Sequence, residues 1–157
     1  MVYAAVGYHG KTPLRFVQPG TRVNSQSYQE MCRSMFEDIR RLRGDSPWVW
    51  CQDGAKPHTA RATLAFFAEQ NVDFIRPEHW PSKSPDLNPL DYSIWSILGQ
   101  ALSRQRALVH SLDDLKEALR EALDDIPMQT IQAACSGWTQ RLRLCADQEG
   151  ADFEHLL

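Results

Sequence analysis

At 157 residues, with 43% hydrophobic and 24% charged side chains, the chain is long enough for one well-packed domain and too apolar for disorder. Its net charge of −3 excludes the strongly basic footprint of a stand-alone nucleic-acid-binding module. The opening MVYAAVGYHG has no basic start and too short an apolar run for a signal peptide or membrane span, so the chain is read as soluble, intracellular and not membrane-associated.

In chain order, Val2–Tyr8 is apolar and β-prone, His9–Thr12 reads as a turn and Pro13–Gln18 as a second strand, which predicts a β-hairpin. Pro19-Gly20 breaks the chain. Tyr28, Met31, Cys32, Met35, Phe36, Ile39 and Leu42 then recur at helical spacing, with Asn24 or Ser25 as N-cap and Gly44 just past the end. Arg40, Arg41 and Arg43 at that end complement the helix dipole and leave DNA contact open. Pro47–Gln52 reads as a short strand. A helix is expected from about His58 to Glu69, with Ala60, Leu64, Phe67 and Ala68 inward; Val72–Arg76 is another strand, followed by the loop Pro77–Pro85.

A further helix starts near Pro89 and is expected to bury Leu90, Ile94, Trp95, Leu98 and Leu102. Ser111 and Asp114 form a capping box for the next, with Leu112, Leu115, Leu119, Ala122 and Leu123 inward. Pro127 opens the last, whose inward stripe is Met128, Ile131, Cys135, Trp138 and Leu142. The order β-β-α-β-α-β-α-α-α predicts an α/β fold with helices covering a sheet, one unit over 1–157 with sheet and core helices in 1–110 and C-terminal helices in 111–157. Cys32, Cys135 and Cys145 fall on apolar stripes, and none of the four cysteines has a C-x-x-C partner or a histidine at zinc spacing. Free thiols are therefore expected.

Two segments carry candidate chemistry. Asp53 ends a strand and enters a loop, where open α/β sheets place ligands, although an aspartate there also forms turns by bonding the backbone ahead of it. His58 opens the following helix. Asp91 lies three residues after Asn88, at a position suited to a capping-box contact. It also precedes Ile94 and Trp95 by three and four positions, which puts it on the stripe facing the sheet, where a carboxylate is costly unless paired or metal-bound.

The run Gln52-Asp53-Gly54-Ala55-Lys56-Pro57-His58-Thr59-Ala60 and the run Ser84 through Trp95 closely resemble two motifs of the mariner superfamily of transposases, QDxAxxHTA and SPDLNPxD/ExxxW. Asp53 and Asp91 stand at the acid positions with 37 residues between them, the spacing of an aspartate-type branch. The resemblance implies an RNase H-like fold, with strand order 3-2-1-4-5, and metal-dependent DNA cleavage and strand transfer. It further implies Mg2+ or Mn2+ held by Asp53 and Asp91, with His58 and Asn88 in support. Expected partners are DNA (transposon ends and target), a second copy or an intact transposase subunit, and the location is nuclear in a eukaryote. The family's first catalytic aspartate and its paired helix-turn-helix region have no counterpart in these 157 residues. The fold is therefore expected to lack its first, central strand, and the chain to be inactive alone, binding metal weakly and DNA non-specifically. Two other readings are a non-catalytic DNA- or transposase-binding module and a complete RNase H-like nuclease with an unrecognised acid.

Overall fold

The computed structural model describes residues 1–82, 84–151 and 153–157. Lys83, inside the expected loop Pro77–Pro85, and Asp152 lie outside the described residues.

The N-terminal hairpin forms, in two short rungs. β1 (Val2–Tyr3) pairs antiparallel with β4 (Arg15–Phe16), and β2 (Val6–Gly7) with β3 (Gly10–Lys11). Val2 faces Phe16 while Val6 faces Lys11, so the second strand carries one extra residue between the rungs. That bulge contains Pro13, which has no N–H to give a ladder. Buried Thr12 repairs the gap: its N–H donates to Ala5 O at 2.9 Å and its Oγ1 accepts from Ala5 N–H at 2.9 Å. The turn is Tyr8-His9 and not His9–Thr12, because Lys11 is held in the ladder. Its Nζ donates to the carbonyls of Leu123, Asp124 and Ile126, where the penultimate long helix ends. Lys11→Met is expected to cost about 1–2 kcal/mol by stranding those carbonyls, seen as a lower urea midpoint at unchanged m-value.

α1 (Ser25–Arg43) starts at a reciprocal cap: Asn24 Oδ1 accepts from Ser27 N–H at 2.9 Å and Ser27 Oγ accepts from Asn24 N–H at 3.0 Å. It stops at Gly44, whose φ of +56° suits glycine and whose N–H returns to Arg40 O. Its buried face, Tyr28, Cys32, Met35 and Phe36, packs with Trp50, Phe66, Phe67 and Val72 into one core. Leu42, expected inward, is half-exposed.

The helix expected over His58–Glu69 is two helices, α2 (Lys56–Thr59) and α3 (Arg61–Glu69), broken at Ala60 where ψ is 138°. Side chains cause the break. Gln52 Nε2 donates to His58 O at 3.0 Å and Thr63 Oγ1 to Pro57 O at 2.7 Å, taking carbonyls that a continuous helix would use itself. The buried face is consequently Thr63, Phe66 and Phe67, and Ala68 is exposed.

β5 (Val49–Trp50) and β6 (Asp73–Phe74) form a parallel pair, much shorter than the expected strands Pro47–Gln52 and Val72–Arg76. After a π-helical turn at Leu90–Ile94 come α4 (Trp95–Gln105), α5 (Leu112–Asp124, with the Ser111–Asp114 capping box) and α6 (Met128–Asp147). A second core joins Ala4 and Leu14 of the hairpin to Ile94, Leu98, Ala122, Leu123, Ile126 and Ile131. Leu112 and Met128, expected inward, are exposed, since each is the first residue of its helix and lies beyond the packed stripe. Cys32 and Cys145 are buried, Cys135 partly so and Cys51 exposed; all four are free thiols.

The hairpin and the β5–β6 pair are not hydrogen-bonded to each other. A cavity of about 570 Å³ opens between them, with Tyr3 and Val6 on one wall and Trp48 and Val49 on the other. Tyr8, Leu42 and Val49 line it at 52%, 48% and 57% exposure, so the slot has apolar walls left in solvent. Asp53 and Asp91 border the same cavity.

Candidate active site

Asp53 follows β5 into the loop before α2. Its Oδ1 accepts two hydrogen bonds, from Ala55 N–H at 3.0 Å and from His58 Nδ1 at 2.5 Å. An ionised carboxylate only accepts, so the proton of this contact resides on His58 Nδ1. These bonds hold the Asp53 carboxyl below the usual carboxylate range: the His58 bond leads, burial opposes it, and the Ala55 N–H adds to it. The turn-forming role is therefore real, but it occupies one oxygen only. Oδ2 takes no hydrogen bond among the described residues.

Asn88 Oδ1 accepts from Leu90 N–H at 3.1 Å, so Asn88 caps the turn that carries Asp91. Asp91 makes no reciprocal cap, because the Asn88 N–H is used by Pro85 O. Its carboxyl is pushed up from the usual range, first by burial and then by the negative charge of Asp53, with the Asn88 side chain pulling the other way. The two motif acids thus sit within each other's field, and neither has a Lys or Arg ion partner among the described residues.

α6 lashes the second motif in place. Trp138 Nε1 donates to Leu87 O at 2.9 Å and Arg141 Nη1 to Asp86 O at 3.1 Å. The Arg141 guanidinium also lies 3.8 Å from the centre of the Tyr92 ring, whose hydroxyl donates to Ala134 O at 2.6 Å. Leu87, Cys145 and Phe153 bury one another beside this clasp. The sequence places Trp138 on an apolar stripe and Gln52 and Tyr92 inside the two motif runs, which is the signal they carry, but assigns no site role to them, to Arg141 or to Tyr28.

Among the described residues no group of three or more His, Cys, Asp or Glu side chains could hold a metal ion. The donor set present is two hard carboxylates with unbalanced negative charge, which fits part of the shell of a divalent ion that prefers oxygen ligands.

No family model matches the chain. It is 25% identical over 142 residues to the Tc3 transposase of a Caenorhabditis elegans transposable element, covering 90% of this chain and 41% of that protein. To the Tc1 transposase of the same organism it is 30% identical over 103 residues, covering 66% and 36%. The chain spans less than half the length of these curated relatives. Its structure superposes on the catalytic domain of Mos1 mariner transposase with a TM-score of 0.83 at 25% identity, covering 98% of this chain and 76% of that one. The chain is a homologue of the Tc1/mariner transposases and has the RNase H-like fold of the Mos1 catalytic domain.

Proposed function

We propose that this chain is the part of a DNA transposase catalytic domain that contributes two metal-binding carboxylates, Asp53 and Asp91. The observation that carries this is that both carboxylates border one cavity, where burial first and then the charge of Asp53 raise the pKa of Asp91, and no Lys or Arg among the described residues pairs with either. The Mos1 catalytic domain has been solved with Mg and with Mn, and Mos1 transposase in complexes with transposon ends. Here Asp53 Oδ2 and the Asp91 carboxylate would hold Mg2+ or Mn2+, completed by water. When bound, such an ion polarises a phosphodiester and lowers the pKa of a water nucleophile. The protein's own part is positional: His58 and Ala55 fix Asp53, Asn88 and α6 fix the turn bearing Asp91.

On this reading the slot between the hairpin and β5 would take the central strand of an RNase H-like sheet, whose end would bring a third acid. With two acids only, the chain is expected not to nick supercoiled plasmid in Mn2+. Nicking that disappears in Asp53→Asn and Asp91→Asn would overturn this in favour of a self-sufficient RNase H-like nuclease. DNA binding is expected to be non-specific and weak at a net charge of −3. A gel-shift comparison of transposon-end and random duplex at physiological salt should show no preference, and a clear preference would sink that expectation. The exposed apolar walls of the slot favour a second reading, a non-catalytic module that associates with another copy or with an intact transposase subunit.

A further inference from the structure

Tyr28 lies on the first turns of α1, outside both motifs, yet its ring stacks on the His58 imidazole at 4.0 Å between centroids and 25° between planes. Its hydroxyl donates to Gln52 Oε1 at 2.8 Å, and Trp50 Nε1 donates to the same oxygen at 3.1 Å. Since indole N–H can only donate, that atom of Gln52 is the carbonyl oxygen and the amide nitrogen faces His58 O, 3.0 Å away. Every polar atom of this buried cluster has a partner with a single sensible direction. The result is that the His58 ring is clamped by Tyr28 on one face, its backbone is tied by Gln52, and its Nδ1 is aimed at Asp53 Oδ1.

We propose that Tyr28 and Gln52 are positioning residues: they fix the plane and Nδ1–H tautomer of His58, which loads Asp53 Oδ1 and leaves Oδ2 as the one oxygen presented to a metal ion. The inference rests on the reading of Asp53 as a metal-binding acid, but the orientation of His58 is measurable without metal. A core role for Tyr28 requires only its volume, whereas a positioning role requires an aromatic face. Hydrogen-bonded outer partners of metal-binding side chains change metal affinity by roughly 10–100-fold when removed.

The test uses the whole chain in three forms, wild type, Tyr28→Phe and Tyr28→Leu, each checked for folding by circular dichroism. Ring-nitrogen NMR of metal-free protein should show His58 as the Nδ1–H tautomer in wild type and Tyr28→Phe. In Tyr28→Leu it should revert toward the Nε2–H form that a free histidine side chain favours. Mn2+ affinity, read by electron paramagnetic resonance, should stay within about twofold in Tyr28→Phe and fall roughly tenfold in Tyr28→Leu. If Tyr28→Leu does not fold, Gln52→Glu, which keeps the acceptor oxygen and removes the donor to His58 O, should lose the tautomer and the affinity in the same way. A folded Tyr28→Leu with wild-type tautomer and wild-type Mn2+ affinity overturns the proposal. Asp53→Asn separates the two ideas: unchanged Mn2+ binding there refutes the metal reading, while the tautomer result still decides whether Tyr28 orients His58.

Discussion

An extended apolar segment of about five or six residues, joined ahead of Met1 by a flexible linker, is expected to raise the thermal midpoint by roughly 20 °C and make the chain monomeric. The slot it would fill measures about 570 Å³, and its walls leave Tyr8, Leu42 and Val49 about half exposed. Both flanking edges are unpaired on that side, since β1 and β2 pair only within the hairpin and β5 only with β6. Such edges invite association. An inserted strand would bury about five apolar side chains at roughly 1.5–3 kcal/mol each, on the order of 10 kcal/mol. Whole-domain stability is only about 5–15 kcal/mol, so this one strand is large enough to decide the outcome. Without it the chain should melt broadly, aggregate or dimerise. Circular dichroism melts and light scattering check this; a monomeric 157-residue chain with a sharp, reversible melt well above about 60 °C refutes it.

Those edges also show what could be read from sequence. Features set by neighbours in the chain were legible: the Asn24 cap and the Ser111–Asp114 box follow from side chains reaching backbone three residues away, and the Gly44 stop from a glycine at positive φ whose N–H returns to Arg40 O. The break at Ala60 was not, because the groups that cause it are Gln52, outside the helix, and Thr63, whose hydroxyl competes for Pro57 O. A uniform 3.6-residue period over His58–Glu69 therefore put Ala68 inward when the rotated face buries Phe66 instead. Asp53, His58, Asn88 and Asp91, the residues the motifs name, all border the one cavity, and the resemblance they carry led to the fold. The supports were hidden because they come from far along the chain: Tyr28 meets Gln52 across 24 positions and Arg141 meets Asp86 across 55. No local period encodes such contacts. Sequence could place Asp91 on a cap or on an inward stripe, and only the geometry shows an uncapped carboxylate at the cavity rim.

Asp53→Asn and Asp91→Asn are expected to change stability in opposite directions in metal-free protein, and to weaken Mn2+ binding together. The Asp53 carboxyl is held low by the His58 and Ala55 bonds. Its folded pKa lies below the unfolded value, so its contribution is present above the unfolded pKa and is lost as pH falls through the folded one. Removing that charge at neutral pH therefore destabilises the fold. The Asp91 carboxyl is held high by burial and by Asp53. Its folded pKa lies above the unfolded value, so stability is greatest at low pH and is lost as pH rises through the folded pKa. Asp91→Asn should accordingly raise the metal-free midpoint at neutral pH. Added Mn2+ should reverse this order of merit, stabilising wild type above both variants, because a ligand that binds only the folded state raises its apparent stability. Calorimetric affinity should fall at least about tenfold in each variant. In wild type it should decline with falling pH from above the usual carboxylate range, as Asp91 takes up its proton first and Asp53 only at lower pH. Two carboxylates kept for cap and turn geometry alone would give neither the reversal nor the pH dependence, and equal Mn2+ affinity in all three proteins would remove the metal site from Asp53 and Asp91 altogether.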